Sequence, residues 1–375
     1  MLSKKLLIVV LAFGLKAYSQ NTNSGNLTGN IETTFQYLNE DTIIGADVPS
    51  EKGLINSYMN VFYTYGNFKT GMRLESYMPR INGYPNRFDG TGLGMRYVGY
   101  ANDKIDITLG HFYEQFGSGL LFRSYEDRAL GYDNVLDGMR MIIRPTDGVV
   151  LKGVYGSNRL DFKEGRVVKS SGIVRGIDGE IHLNQLLPAL KDNPLDISLG
   201  ATFVSKFQAD DNDLLNLPEN VGSYGGRFNI RYKKFSLNAE YVMKENDPSS
   251  DNGYIYNNGH TALINFNYST KGLGISLSAK STDNMSFRSD RTQALQDVLI
   301  NYLPALNKTH TYNLVASLYP YATQLNGEIA YQAEALYTFP QKSKIGGKSA
   351  IGENVKTVQS TFGPVFNAES GFAKD

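Results

Sequence analysis

The 375-residue chain has no cysteine and no tryptophan, and only four histidines and twelve prolines. Without cysteine there is no disulfide staple, no thiolate metal site and no cysteine to carry a lipid behind a leader. The histidines, His111, His182, His260 and His310, lie far apart, and no H-E-x-x-H zinc motif occurs. No G-x-S-x-G elbow is present either. Gly347-Lys348-Ser349 copies only the end of a phosphate-binding loop, with Lys342 standing where its first glycine belongs. Asp210-Asp211-Asn212-Asp213 offers oxygen ligands but lacks the glycine of a calcium loop, so it reads first as a solvated outer loop. No nucleophile–base pair stands out. An enzyme is therefore the weakest reading, and no metal or cofactor is implied.

Charge of one sign is also lacking. Lys+Arg 37 and Asp+Glu 37 cancel, and no basic excess points to nucleic acid. No apolar run is long enough to cross a bilayer as a helix. The mean hydropathy, -0.31, argues against helical membrane proteins only. A membrane barrel needs one apolar residue in two, and its lumen and loops are polar.

What is present begins at the N-terminus. Lys4 and Lys5 precede the apolar run Leu6 to Leu15, and Ala17-Tyr18-Ser19-Gln20 follows. This is the pattern of a secretory signal peptide, residues 1–19, with cleavage expected after Ser19. Its loss removes Lys4, Lys5 and Lys16 and no acid, leaving a net charge of about -3.

Beyond the signal, strict period-2 alternation recurs between breaks at Gly, Asn, Asp and Pro. Phe68-Thr70-Met72-Leu74 opposes Lys69-Gly71-Arg73-Glu75, and Leu195-Ile197-Leu199-Ala201-Phe203 opposes Asp196-Ser198-Gly200-Thr202. Phe235-Leu237-Ala239-Tyr241-Met243 opposes Ser236-Asn238-Glu240 and Lys244. The stretches 273–280 and 328–337 behave alike. Such faces suit tilted strands of roughly 9–11 residues crossing hydrocarbon. Links alternate between tight and long, and aromatic residues (Tyr63, Tyr65, Tyr241, Tyr268, Tyr337, Phe339) close the apolar faces as interfacial girdles do. No 20–50 residue repeat and no linker supports a propeller, solenoid or pair of sandwiches.

The expected fold is all-β, a transmembrane antiparallel barrel of roughly 14–18 strands with an infolded loop and short loop helices. Its expected home is the outer membrane, and its expected partners are outer-membrane lipids and other outer-membrane proteins. Asn184 to Asn193 reads as a helical turn, and Ser289 to Leu306 as an amphipathic loop helix over the barrel mouth. The barrel is expected over residues 20–345. Residues 346–375 form an atypical tail that lacks the preceding aromatic density. Either Val355 to Phe362 is a poorly written last strand, or closing strands are missing.

The densest polar constellation spans residues 110–147. A strand enters, the bend Phe116-Gly117-Ser118-Gly119 follows, and mixed charges lead into a further strand. Glu114, Arg123, Glu126, Asp127, Arg128, Asp137 and Arg140 are the candidates for a constriction. Opposed rows of Arg and Asp/Glu set a transverse field that orders polar solutes. The competing reading, weighted slightly higher, is that these charges only pair with one another to fill a lumen.

Leu109 to Leu120, followed by Arg123 and Asp137-Gly138-Met139-Arg140, resembles a segment of porin-like outer-membrane proteins of Bacteroidota. These include a family described only as a domain of unknown function. The Ser19-Gln20 junction is similar to signals from that phylum. The resemblance spans roughly residues 20 to 345 and fades after about Gly346. It implies an outer-membrane barrel and no catalytic residues. A looser similarity, in the bend and the Asp-Gly-x-Arg strand, is to porins and polysaccharide-export barrels.

Two functions follow as expectations: passive passage of small hydrophilic solutes past residues 113–140, or a plugged structural or accessory subunit of a larger outer-membrane assembly. If Arg123 and Arg140 line an open pore, replacing both with alanine shifts ion selectivity toward cations in a planar bilayer. Unchanged selectivity returns them to the salt-bridge reading.

Overall fold

Alternating segments can satisfy their backbone only by pairing sideways, and here they pair antiparallel with their sequence neighbours. The computed structural model describes residues 25–43, 45, 50–128, 131–294, 297–306, 323–338, 357–362 and 365–366. The expected signal peptide, Phe339 and most of the tail lie outside these residues.

The wall opens with β1 (Asn26–Tyr37), β2 (Gly53–Tyr65), β3 (Phe68–Tyr77), β4 (Gly90–Ala101) and β5 (Ile105–Phe112). A short hairpin, β6 (Glu126–Asp127) and β7 (Tyr132–Asp133), stands apart from the wall. The wall resumes with β8 (Leu136–Ile143), β9 (Val149–Lys163), β10 (Arg166–Lys169) and β11 (Ile173–His182). After α1 (Leu183–Leu186) come β12 (Leu195–Phe207), β13 (Asn220–Tyr232), β14 (Phe235–Lys244), β15 (Gly259–Thr270) and β16 (Leu273–Asp283). Last are β17 (Gly327–Thr338), β18 (Thr357–Phe362) and β19 (Val365–Phe366). Among the described residues this is one 17-stranded sheet plus the two-stranded β6–β7 pair. Within the stretch Val355 to Phe362, Thr357–Phe362 pairs in register with β17; positions 355 and 356 lie outside the described residues.

The burial pattern is that of a soluble protein turned inside out. On β12, Leu199 and Phe203 are each 45% exposed, while Lys206 is fully buried. On β3, Met72 is 49% exposed and Glu75 is not exposed at all. Apolar residues therefore look outward and charged ones inward, the distribution lipid imposes on a membrane barrel. Aromatic residues collect at the tight-turn ends. Phe68 meets Tyr100 at 5.1 Å between ring centroids, and Phe235 meets Tyr268 at 4.8 Å. Tyr224 sits beside Phe203 nearer the long connections.

β5 and β8 have 8 residues each, against 12 in β4 and 15 in β9. The chain parts from β4 at Gly110, which has φ +100 and where a Cβ would lie 2.5 Å from the Arg96 carbonyl oxygen, and it turns into the lumen after Phe112. Above the shortened pair, the β9–β10 hairpin leans directly on the approach to β4. Asp89 N–H donates to the Phe162 carbonyl (2.7 Å), and Gly165 N–H to that of Asp89 (3.0 Å).

Asn184 to Asn193 forms α1 and a 3-10 turn, Pro188–Leu190, at the β11–β12 connection as expected. The helix expected over Ser289 to Leu306 is not formed among the described residues. That stretch runs as turns and extended chain, with a bridge between Arg288 and Leu299. Its apolar spacing serves lumen packing instead: Val298, Leu299, Ile300, Leu303 and Leu306 are all buried.

Candidate functional site

The infolded segment, residues 113–135, is anchored in the lumen by two charge networks. The upper one centres on Glu75 of β3, which is fully buried. Arg159 of β9 grips its carboxylate with two nitrogens (3.0 and 2.7 Å), Arg73 Nε adds a third contact (2.7 Å), and Tyr77 donates its hydroxyl (2.9 Å). The two arginines reach on to the infolded segment. Arg73 donates to Glu126 (3.0 Å) and Asp133 (3.1 Å), and Arg159 to Asp133 (3.0 Å). Tyr113 donates its hydroxyl to the second Asp133 oxygen (2.9 Å). A buried charge costs several kcal/mol unless paired and hydrogen-bonded, and here each carboxylate meets at least two donors.

The lower network holds the start of the segment. Glu114 accepts from Arg140 Nε (2.6 Å) and Lys152 Nζ (2.8 Å). Arg140 also meets Asp106, which receives Lys69 in turn. Lys152 donates to the Gln115 carbonyl (2.9 Å), and the Ser118 N–H donates to Glu240 Oε2 on β14 (2.9 Å). Burial opposes ionisation of Glu114, but hydrogen bonds from Lys152 and the Gln115 N–H prevail and hold its carboxyl below the usual range.

Between the networks lies an apolar core inside the barrel. Phe116, Leu120, Leu121 and Phe122 are at most 1% exposed. They pack with Met285, Phe287, Ile300, Leu303 and Leu306, and against Val154, Val174, Val204, Val221, Val242 and Leu263 of the inner wall. Backbone bonds tie the two infolded stretches: Arg123 N–H to the Ile300 carbonyl (2.8 Å), and Tyr302 N–H to that of Gly119 (2.9 Å).

Below the tip of the segment the lumen opens into polar space. A cavity of about 220 Å³ touches Gly117, Ser118, Arg227, Glu240 and Asn265. A second, of about 470 Å³, reaches Asp196, Ser198, Arg231 and Ser236 near the tight turns. Glu180, Asn229 and Asn238 line both. Arg227 is fixed by Asp178 (2.7 Å) and Glu180 (2.8 Å).

The candidate residues read from the sequence part company here. Glu114 and Arg140 join each other, and Glu126 joins Arg128 (3.2 Å), which also meets Glu32. Arg123 has no carboxylate partner among the described residues. Its guanidinium lies between the rings of Tyr125 (4.3 Å) and Tyr302 (4.1 Å). Asp127 lies in β6, beside Tyr132. Asp137 does not line the lumen: it shares a face of β8 with Met139, which is 41% exposed on the outer side. Most partners come from distant strands, among them Arg73, Glu75, Lys152, Arg159 and Glu240. The one available signal was an Arg and a Glu two apart on the polar face of β3.

Apolar outside, charged inside and closed by aromatic rims, the wall is that of an outer-membrane protein, and the outer membrane is where it sits. A family model covers residues 1–365, under the description Family of unknown function (DUF6029). The chain belongs to that family. The match continues past Gly346, where the sequence resemblance was read as fading. No curated protein matches the chain. Among solved structures, a BenF-like porin from Pseudomonas fluorescens Pf-5 is similar at 10% identity and TM-score 0.34, over 92% of this chain and 98% of that one. OprD from Pseudomonas aeruginosa is similar at 14% identity and TM-score 0.38, over 83% and 67%. OccK2 (OpdF) from the same organism, solved in complex with glucuronate, is similar at 8% identity and TM-score 0.36, over 91% of each chain. The outer-membrane placement rests on the wall's own faces and not on these likenesses.

Glu114→Gln removes the anion that joins Arg140 and Lys152, and should lower stability at pH 7 by about 1.5–3 kcal/mol in urea unfolding of the reconstituted protein. Because the folded pKa is depressed, this stabilisation is complete above the unfolded value of about 4.3 and is lost as pH falls through the folded one. The difference between the two proteins should therefore shrink below about pH 4. Equal midpoints at pH 7 would contradict the assignment.

Proposed function

We propose that the protein is a porin-like outer-membrane channel passing small hydrophilic solutes by diffusion, its lumen narrowed by residues 113–140. The observation that supports this best is the polar chamber sharing Glu180, Asn229 and Asn238, which runs from the tight-turn end up to Gly117 and Ser118. Its lining mixes fixed charges of both signs with amides and hydroxyls, and apolar solutes gain nothing there. A field between Arg227 and Glu240 orders polar solutes as they pass the tip. The reading is transport without catalysis. The Ser19-Gln20 junction and the segment 109–140 support a Bacteroidota source.

A second reading has its own observation. The apolar core formed by Phe116, Leu120, Leu121 and Phe122 with Met285, Phe287, Ile300, Leu303 and Leu306 occupies the lumen above the chamber. That filling favours a non-conducting structural or accessory subunit, whose long connections dock other outer-membrane proteins.

Single-channel recording in a planar bilayer separates the two. The channel reading expects a small, steady conductance, and a shift toward cations when Arg227→Ala removes a chamber cation. A pore that stays closed across voltages, with partners co-purifying, establishes the accessory reading instead.

A further inference from the structure

The rule that sends charge inward fails on the outer face of β4 and β8. Arg96 of β4 shares a face with Val98, and with it lines an apolar groove of about 590 Å³ formed by Leu27, Val61, Met72, Leu93 and Leu109. Its side chain is 57% exposed there. Two strands away, Asp137 looks outward beside Met139. Lys169, the last residue of β10 and 51% exposed, brings Nζ within 2.9 Å of Asp137 Oδ2, and Arg96 Nη2 lies 3.4 Å from the same oxygen. His111, the cross-strand neighbour of Asp137, is buried with Nε2 lacking a hydrogen-bond partner.

An ionisable side chain facing lipid is costly and marks a site whose partner must be named. One carboxylate does not balance two cations. Among the described residues each cation has that single side-chain ion pair, so most of their N–H donors remain uncommitted on the lipid side. The groove supplies the complementary apolar surface. From the Met72–Arg96 row it descends through Thr70 and Val98 to Leu27 and Tyr63, toward the tight turns. The cations thus stand nearer the long connections, which face outward in such barrels.

We propose that this face docks one molecule of lipid A, the phosphorylated, acylated lipid of the outer leaflet. Its phosphate sits on Arg96 and Lys169, and one acyl chain lies along the groove. Charge-assisted contacts to phosphate are the strong kind, and guanidinium matches them two at a time. Asp137 holds the two cations together and apart from hydrocarbon when no phosphate is present. The proposal rests on this face meeting lipid, and is independent of whether the lumen conducts.

Native mass spectrometry of the folded, detergent-solubilised protein titrated with bisphosphorylated lipid A tests it. The expected result is one saturable adduct, weakened by about tenfold or more in the double variant R96Q/K169Q. Phosphatidylglycerol and phosphatidylcholine should not displace it at equal concentration. Equal binding by wild type and R96Q/K169Q, or displacement by phosphatidylglycerol, overturns the proposal. Should that variant fail to fold, Val98→Trp fills the groove and leaves both cations. A loss of similar size then supports the site, and unchanged binding overturns it.

Discussion

Everything in this protein follows from an outer wall that must be apolar. Once Leu199, Phe203, Tyr224 and Tyr241 face lipid, period-2 alternation drives the other half of each strand into the lumen. That half carries Arg73, Glu75, Lys152, Asp178, Arg227 and Glu240, which cannot remain unpaired where water is scarce. The interior is therefore organised by electrostatics, whereas a soluble protein's interior is organised by apolar burial.

The infolded segment satisfies that requirement. It enters at Glu114, between Arg140 and Lys152, and leaves through Glu126 and Asp133, between Arg73 and Arg159. Between these anchors, the run from Phe116 to Phe122 is free to build an apolar core with the second infolded stretch. The inner wall meets it with valines in place of charges. The same segment thus explains both the apolar core in the upper lumen and the polar chamber beneath its tip. It also explains the short β5 and β8, and the β9–β10 hairpin that spans the gap above them.

The wall was legible because alternation is a local property. The opposed faces of β3, β12 and β14 were read residue by residue from the sequence, and so was the infolded bend at Gly117. The contents of the lumen were not. Val242 lies between Glu240 and Lys244 on the inward face, an apolar residue in a polar row, and it was the available sign of an internal core. The spacing of Leu299 and Leu303 suggested a helix, since apolar recurrence cannot distinguish a helix face from an extended stretch packed on several sides. Asp137 was grouped with Arg140, three positions on, although an odd separation on a strand sends two side chains to opposite faces. The partners Glu75 and Arg159 are 84 positions apart, a distance over which no local pattern carries information.

The inverted wall, with an apolar core packed in its upper lumen, is directly measurable because the chain lacks tryptophan. Single tryptophans placed at Leu199, Phe203, Ser198 and Val204 of β12 report four environments without background. In bilayers containing brominated lipid, the account predicts strong quenching at positions 199 and 203, and none by aqueous iodide. Iodide should reach position 198 in the polar chamber, and neither quencher should reach 204 beneath the infolded core. Iodide quenching at 199 and 203 with bromolipid quenching at 198 and 204 would contradict the account.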